Sequence, residues 1–371
     1  MSDFQLQRLG VVMEPDSGNP MEAEGALNPA SARGRDGQLY LFPRLVARGN
    51  YSRIGIARVR FNEAGDPVGV ERLGIALEPE ADYELRPDGG GCEDPRITFI
   101  EPLQRYVMTY TAFSPSGPRI ALAMSEDLFH WERLGLATFQ PYEDVDFNDV
   151  ANKDALFFPV GIPDPDGQPA MALIHRPLFP GTGPDETLHY RFPRVMNILR
   201  ESIWISYNSL VKECCDNHRC HHLCHFDSHR RLATPVAAWE QLKIGGGTPP
   251  ILTPSGWLFL YHGVCEALNK PDSAGKLSYS AGLLVLDEKH PHLIRYRSPE
   301  PVLTPELPKE RAGIAPNVVF PTAIDRRDDL GLPGRFDVYY GMADNRIGVA
   351  RLDVPERLPP GVLADPPQAK V

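Results

Sequence analysis

Short apolar runs recur along the chain in pairs, each an aromatic-rich run, a short break and a second run of small and β-branched residues. The pairs lie at 39–44 with 51–59, 106–111 with 119–125, 257–262 with 279–286, and 336–341 with 346–351. Runs of this composition between turn residues predict β-strands. A weaker copy lies at 170–175.

Strand pairs that recur at intervals of roughly 40–50 residues or more favour the blades of a β-propeller. The intervals here are uneven, so some blades must carry insertions. The 32 glycines and 38 prolines in 371 residues agree with many short elements and tight turns. The alternative is a generic β-sandwich. The segment 188–208 has room for a short helix, although Pro193 interrupts it.

Charge and hydropathy exclude several kinds of partner. The net charge of −11 and the absence of a basic block disfavour binding to nucleic acid, but a local basic pocket could still hold a small anion. No apolar run reaches the roughly 18 residues that a membrane helix needs. The first residues lack the apolar centre of a signal peptide, so the cytoplasm is the expected location.

The segment 89–96, Gly-Gly-Gly-Cys-Glu-Asp-Pro-Arg, is the sharpest chemical candidate. Its glycines would let the backbone approach a ligand closely. Glu93 and Asp94 are adjacent acids, and we expect Arg96 to keep one ionised while its neighbour keeps the other protonated. The alternative is a structural acidic turn capped by an arginine.

Four basic residues stand at the ends of predicted strands or beside flexible backbone: Lys153, Arg176, Lys243 and His262. Each by itself is commonly structural. In a propeller the inner strands converge on the axis, where such a set could bind phosphate or carboxylate.

A run rich in cysteine and histidine lies between residues 214 and 229. Thiolate and imidazole are good zinc ligands, and the candidate ligands are Cys215, Cys220, Cys224, His221 and His225. The spacing does not form two clean Cys-x-x-Cys pairs, so a reduced, solvated insertion is the alternative.

An ordered set of motifs resembles glycoside hydrolase family 130. The set is Asn28-Pro29, Arg44, Glu93-Asp94-Pro95-Arg96, Ser125-x-Asp127-Leu128-x-x-Trp131, Lys153-Asp154, His175-Arg176-Pro177, Lys243-Ile-Gly-x-Gly-x-Pro-Pro250, Tyr261-His262-Gly263 and Ala343-Asp344. The resemblance implies a single five-bladed β-propeller catalytic domain over residues 1–357. It leaves a Cys/His-rich insertion at about 212–231, which could form a lid, a metal-bound flap or a homo-oligomer contact, and a Pro-rich tail at 358–371.

The resemblance also implies roles for individual residues. Asp94 corresponds to the catalytic acid, which acts on the glycosidic oxygen through a sugar hydroxyl. The implied phosphate ligands are Lys153, Arg176, Lys243, His262 and Tyr279. The implied sugar-binding residues are Asn28, Arg44, Glu93, Asp154 and Asp344, with Arg48 or Arg53 as a second arginine.

The function implied by the resemblance is that of an inverting β-mannoside phosphorylase. Its partners would be a β-mannoside oligosaccharide and inorganic phosphate as co-substrate, with no other cofactor. A basic cluster without an evident second acid favours phosphate over water as the nucleophile. The alternatives are a β-mannosidase on the same scaffold and a carbohydrate-binding propeller without activity.

Overall fold

Five four-stranded antiparallel blades surround a common axis in the computed structural model, which describes residues 4–142, 146–179, 201–209, 220–267 and 277–359. A short parallel pairing of residues 51–52 with 90–91 joins the first two blades into one sheet. Blade 1 contains β2 (Gly25–Arg33), β3 (Leu39–Ala47), β4 (Tyr51–Phe61) and β5 (Pro67–Leu77). Blade 2 contains β6 (Gly90–Ile100), β7 (Arg105–Ser114), β8 (Gly117–Ser125) and β9 (Glu132–Leu136). The fold is therefore the predicted five-bladed β-propeller.

The remaining blades follow the same plan. Blade 3 contains β11 (Ala151–Phe157), β13 (Pro169–Leu178), β14 (Ile203–Asn208) and β16 (Ser228–Ala233), and β12 (Ile162–Pro163) also pairs with β13. Blade 4 contains β17 (Lys243–Gly246), β19 (Gly256–Glu266), β20 (Leu277–Leu286) and β21 (Ile294–Arg297), with β18 (Ile251–Thr253) beside β19. Blade 5 contains β22 (Val319–Arg326), β23 (Arg335–Met342), β24 (Arg346–Asp353) and β1 (Gln5–Met13).

The two ends of the chain close the ring within blade 5. Strand β1 pairs antiparallel with β24, so the first strand of the chain becomes the outermost strand of the last blade. This pairing joins residues more than 300 positions apart, and only the closed ring brings them together.

Short elements connect the blades. Strands β10 (Thr138–Phe139) and β15 (His225–Phe226) form a parallel pair. The described helices are the α-helix Pro308–Arg311 and the 3₁₀ helices Pro20–Glu22, Glu101–Leu103, Cys220–Cys224, Ala238–Glu240 and Asp328–Leu330. None of the helices in the described part of the chain is long and apolar enough to cross a membrane.

The hydrophobic core lies between neighbouring blades, since each sheet buries both of its faces. Phe42 and Ile56 of blade 1 pack in one cluster with Met108 of blade 2. In the same way Ile174 of blade 3 shares a cluster with Phe259 of blade 4. Because both faces of a blade pack against neighbouring blades, its strands appear in the sequence as apolar runs.

The inner strands of three successive blades are interrupted at the same level. The register shifts between Leu27 and Ala30, between Glu93 and Arg96, and between Lys153 and Leu156. Such bulges turn side chains out of the regular alternation. At these bulges Asn28, Asp94 and Asp154 have positive φ angles of 42°, 45° and 57°.

Two expectations for blade 3 need correction. Residues 203–208 form strand β14 rather than part of a helix, and 180–200 lie outside the described residues. Residues 228–231, which the sequence placed in the insertion, belong to β16, the outermost strand of the blade. Residues 212–219 of the insertion, and the tail from 360 onward, also lie outside the described part.

Candidate active site

One pocket of about 470 Å³ opens at the axis where the inner-strand bulges converge. Its polar lining residues are Asn28, Arg44, Glu93, Asp94, Lys153, Asp154, Arg176, Lys243, His262, Tyr279 and Asp344. All of them were singled out from the sequence. The lining is completed by Leu277, Ala315, Pro316, Val318 and Phe320, which the sequence analysis missed because apolar residues carry no chemical signal.

Arg48 and Arg53 are not in this pocket. Arg48 is exposed, and Arg53 is buried against the ring of Tyr51, with its guanidinium 2.9 Å from the Glu78 carboxylate. Strand β4, which carries Arg53, lies farther from the axis than β2. The second sugar-pocket arginine expected from the sequence is therefore absent from the pocket.

The first half of the pocket, here called the acidic half, contains Asn28, Arg44, Glu93, Asp94 and Asp344. Arg44 Nη2 donates to Glu93 Oε1 at 2.7 Å, and Arg44 Nη1 donates to Asp94 Oδ1 at 3.3 Å. Asn28 Nδ2 donates to the same Asp94 oxygen at 2.9 Å. One guanidinium thus holds both adjacent acids, and Asp94 also has an amide partner.

Arg96 helps to lower the pKa of Asp94, as expected, but it does so without a hydrogen bond to the Asp94 or Glu93 carboxylate. Its guanidinium donates to the backbone oxygen of Asp94 at 2.7 Å and to that of Gly247 at 3.0 Å, so it supports the chain beneath the pocket. Arg44, not Arg96, is the arginine bonded to the carboxylates. The sequence could not distinguish the two because Arg44 is 50 positions away from Asp94.

The pKa values of the three acids of this half are shifted in different directions. Burial raises the pKa of Glu93, against the opposing effect of Arg44, and repulsion from Asp94 raises it further. Burial also penalises the Asp94 carboxylate, but Arg44, Arg96 and the Asn28 hydrogen bond outweigh it and lower its pKa. The pKa of Asp344 rises to about 6 through burial and repulsion from Asp94.

Asp344 reaches the pocket from a tight turn between β23 and β24. Ala343 and Asp344 have φ angles of 49° and 48°, and Asn345 N donates to Met342 O at 3.1 Å. Two successive positive φ angles are the mark of a type I′ hairpin turn. Asp tolerates that conformation better than most residues, so the turn can carry a carboxylate.

The second half of the pocket, here called the cationic half, contains Lys153, Asp154, Arg176, Lys243, His262 and Tyr279. Lys153 and Arg176 face each other across the β11–β13 ladder. Arg176 Nε donates to the buried Asp154 carboxylate at 2.6 Å. Attraction to Arg176, with smaller contributions from Arg96 and Lys153, outweighs burial and keeps the pKa of Asp154 well below its usual range.

His262 is a neutral member of this half. Burial, together with repulsion from Arg176 and Lys243, lowers its pKa to about 3 despite the nearby Asp154. Its Nδ1 is buried and has no hydrogen-bond partner among the described residues. His262 therefore contributes a neutral ring to the pocket lining rather than the positive charge expected from the sequence.

Aromatic rings pack against Lys243 and His262 in this half of the pocket. Lys243 Nζ lies 5.7 Å from the centre of the Tyr279 ring, which stacks on His262 at 5.9 Å. Phe320 also packs on His262, with ring centres 4.6 Å apart, and contacts the Tyr279 ring at 6.4 Å. Burial and the neighbouring Arg176 lower the pKa of Lys243 to about 8, so it is largely protonated at neutral pH.

The pocket wall leaves no room for a side chain at Gly245, in the glycine-rich segment after Lys243. A Cβ at this position would overlap His262, and would lie 2.5 Å from Asp154 Oδ2 and 2.7 Å from Arg176 Nε. The glycine thus leaves room for the Asp154–Arg176 ion pair at the pocket wall.

Glu201 is a carboxylate that the sequence analysis did not single out. It forms an ion pair with Arg176 Nη1, on the side opposite Asp154, and its backbone bridges to Lys243. The expectation of a cationic cluster without a nearby second acid is wrong at this point. No short motif marks Glu201, and only the strand arrangement brings it to Arg176.

The Cys/His run does not gather a metal site in the part of the chain that the structure describes. Cys224 is buried, and the His225 ring hydrogen-bonds to Thr138. Cys215 and the side chains of Cys220 and His221 lie outside the described residues, so the zinc prediction stays a prediction.

Comparison with known proteins places this fold and pocket in a family. The model of glycoside hydrolase family 130, described as beta-1,4-mannooligosaccharide phosphorylase, matches residues 5–358. The chain therefore belongs to glycoside hydrolase family 130.

One named relative is similar over nearly the whole chain, and another over about a third of it. The chain is 31% identical over 360 residues to a 1,2-beta-oligomannan phosphorylase of Thermoanaerobacter sp. (strain X514), covering 95% of this chain and 98% of the relative. It is 38% identical over 126 residues to a beta-1,4-mannooligosaccharide phosphorylase of Ruminococcus albus, covering 34% and 35% of the two chains.

A solved structure has the same fold. The beta-1,2-mannobiose phosphorylase from Listeria innocua, in complex with beta-1,2-mannobiose, superposes with a TM-score of 0.67 at 22% identity. The match covers 94% of this chain and 97% of that chain.

Proposed function

We propose that this protein is an inverting β-mannoside phosphorylase. In the reaction, the bond between the anomeric carbon and the glycosidic oxygen breaks, and a phosphate oxygen bonds to that carbon from the opposite face. The leaving oxygen takes a proton, and the products are α-mannose 1-phosphate and the shortened acceptor. The observation that carries the proposal is the pocket in which Asp94 shares one cavity with Lys153, Arg176 and Lys243.

The cationic half suits a nucleophile that is already charged. An inverting hydrolase needs a second carboxylate to deprotonate water, whereas phosphate is anionic and needs positioning. Lys153, Arg176 and Lys243 provide positive charge, His262 provides a neutral ring nitrogen, and Tyr279 provides a hydroxyl. These five residues are the proposed phosphate ligands.

The acidic half suits a sugar ring. Asn28, Arg44, Glu93 and Asp344 offer hydrogen-bond donors and acceptors around Asp94, as sugar hydroxyls require. Asn28 Oδ1 is buried without a hydrogen-bond partner among the described residues, so a sugar hydroxyl could satisfy it. Asp154, in the cationic half, orients Arg176.

Asp94 must hold a proton when the glycosidic bond breaks, yet its pKa is lowered in the ligand-free pocket. Bound phosphate would offset the positive charges that lower it, and bound sugar would exclude water. Both effects raise the pKa of a carboxylate. We therefore propose that Asp94 takes up its proton as the substrates bind, with Glu93 as the next candidate for the acid.

Hydrolysis is the second candidate, and Glu201 is the observation that favours it. A carboxylate on the nucleophile side could act as a base toward water. Its ion pair with Arg176 opposes this role, because a neighbouring guanidinium lowers the basicity of a carboxylate. A further alternative is carbohydrate binding without turnover.

The test is to incubate the protein with β-1,2- and β-1,4-mannobiose and longer oligomers, with and without inorganic phosphate. We expect phosphate-dependent α-mannose 1-phosphate. Free mannose formed regardless of phosphate, and lost in Glu201→Gln, would establish hydrolysis instead. Binding without any product would leave a carbohydrate-binding propeller. The two linkages are compared because the relatives act on different ones by name.

A further inference from the structure

Four of the five blades share a buried glutamate–arginine ion pair that fastens the loop leading into the inner strand. The glutamates are 0–2% exposed. The pairs are Glu22 with Arg72, Glu84 with Arg133, Glu240 with Arg297, and Glu310 with Arg8. Each arginine stands on the outermost strand of its blade, so the pair ties the axis side of a blade to its rim.

Blade 2 shows the arrangement in detail. One Glu84 oxygen accepts from the backbone N–H groups of Glu80 and Ala81 at 2.8 and 3.1 Å, and the other accepts from Tyr110 Oη at 2.5 Å. Arg133 Nε donates to the same carboxylate at 2.9 Å. The carboxylate therefore organises the loop before β6, the strand that carries Asp94.

The tyrosine recurs in two further blades. Tyr261 Oη donates to Glu240 at 2.5 Å, and Tyr340 Oη donates to Glu310 at 2.9 Å. All three tyrosines stand on the second strand of their blades. Tyr110 lies opposite the bulge of its inner strand.

Among the described residues, which omit 143–145 of the loop before β11, blade 3 departs from this arrangement. His175 lies opposite the bulge on the second strand, where Tyr110 lies in blade 2, and His229 stands on the outermost strand, where the others have arginine. Ser206 joins the two rings, since its Oγ is 2.7 Å from His175 Nε2 and 2.8 Å from His229 Nδ1. Phe147, fully buried, packs against both rings.

The hydrogen bonds of this network determine which ring nitrogen of each histidine carries the proton. His229 Nε2 must donate to the backbone oxygen of Gln140, which is 2.9 Å away and can only accept. A neutral His229 then accepts at Nδ1 from Ser206, which in turn accepts from His175 Nε2. The remaining His175 nitrogen, Nδ1, accepts from Asn152 Nδ2 at 3.0 Å.

Both imidazoles are neutral, as this order of donors requires. Burial lowers the pKa of His175 well below its ordinary value, and repulsion from His229 adds to the effect. Burial likewise lowers the pKa of His229, although its bond to Gln140 opposes it. The network thus connects the rim of the blade to β11 without a net charge.

The ends of the network adjoin the cationic half of the pocket. Asn152 precedes Lys153 in β11, and His175 precedes Arg176 in β13. A glutamate beside these histidines, without the arginine partner that it has in the other four blades, would put a further buried carboxylate behind Lys153 and Arg176. Such a charge would attract the cations away from a bound anion.

We propose that the Asn152–His175–Ser206–His229 network positions Lys153 and Arg176 for phosphate, and that it is uncharged so that it does not compete with phosphate for them. The inference rests on the proposed function. It makes these four residues positioning residues of the phosphate subsite, because they act through Lys153 and Arg176.

The test compares Ser206→Ala with Tyr340→Phe. Each variant removes one buried hydroxyl from the network of its blade, but blade 5 supplies none of the proposed phosphate ligands. We expect both to lower the melting temperature by a few degrees. Only Ser206→Ala should raise the KM for phosphate, by roughly five- to twentyfold, with the KM for mannoside changed less than about twofold.

A second measurement is the rise in melting temperature caused by inorganic phosphate. It should be smaller in Ser206→Ala than in wild type and unchanged in Tyr340→Phe. Ser206→Thr, which keeps the hydroxyl, should restore much of the phosphate affinity. If Ser206→Ala fails to fold, Asn152→Ala serves the same comparison.

The outcomes separate the two proposals. Equal effects of Ser206→Ala and Tyr340→Phe on both KM values would make the network merely structural and overturn the positioning role. A wild-type enzyme that neither binds nor uses phosphate would overturn the proposed function, and the positioning role with it.

Discussion

Arg176 donates from Nε to Asp154 Oδ2 across 2.6 Å, and both side chains are buried in the pocket wall. The carboxylate fixes the guanidinium in place, so Arg176 can meet an anion without reorganising. This geometry makes Arg176 the residue on which phosphate use should depend most directly.

Arg176→Ala should raise the KM for phosphate by roughly 10- to 100-fold while changing mannoside binding little, since a charge-assisted contact to the anion is lost. Arg53→Ala is the matched control, because Arg53 is equally an ion-paired arginine but lies outside the pocket. Steady-state kinetics with each substrate varied would test this. A similar rise in both variants would remove the assignment.

Asp94→Asn should lower kcat by about 10²- to 10⁴-fold, the usual contribution of a general acid, and leave folding intact. The amide can still accept from Asn28 and Arg44 but cannot deliver a proton. Glu93→Gln is the comparison, and it should affect substrate binding more than kcat. The reverse pattern in single-turnover measurements would move the acid to Glu93.

Phosphate use should weaken above pH 8, because Lys243 has a pKa of about 8 and loses its charge there. The KM for phosphate should therefore rise between pH 7 and pH 9 in wild type. Lys243→Arg keeps its charge through this range, so its ratio of KM at the two pH values should stay near one. A ratio equal to that of wild type would contradict the role of Lys243.

Gly245→Ala should reduce phosphate use while leaving Asp94 and its partners in place. The added methyl would overlap His262 and crowd the Asp154–Arg176 ion pair. We expect a KM for phosphate raised roughly tenfold or more. Gly10→Ala is a useful control, because its Cβ would meet no atom within 4 Å, although its own φ of 136° adds local strain.

Asp344→Asn should change how stability depends on pH. The folded-state pKa of Asp344 is about 6, above its ordinary value of 3.8, so the folded protein holds the proton more tightly than the unfolded chain. Its stabilising contribution is present below pH 3.8 and is lost as pH rises through 6. The melting temperature of Asp344→Asn relative to wild type should thus increase from pH 4 to pH 7, measured without ligands.

The predicted strands and most pocket residues could be found from the sequence because their signals are local. Apolar runs bounded by glycine and proline mark strands, and polar residues at strand ends mark the pocket of a propeller. Lys153, Arg176, Lys243 and Asp94, which were singled out in this way, line one pocket. Arg48 and Arg53 do not line it, and a strand pattern does not tell which strand of a blade is nearest the axis.

The sequence by itself determined the strand-rich architecture and the residue types available for chemistry, because both follow from short-range patterns. Only the tertiary structure decided which residues meet and what charge they carry. Arg44 rather than Arg96 binds the paired acids, His262 is neutral, and Glu201 reaches Arg176. Each outcome depends on burial and on partners distant in the chain, which set the electrostatic free energy of a side chain.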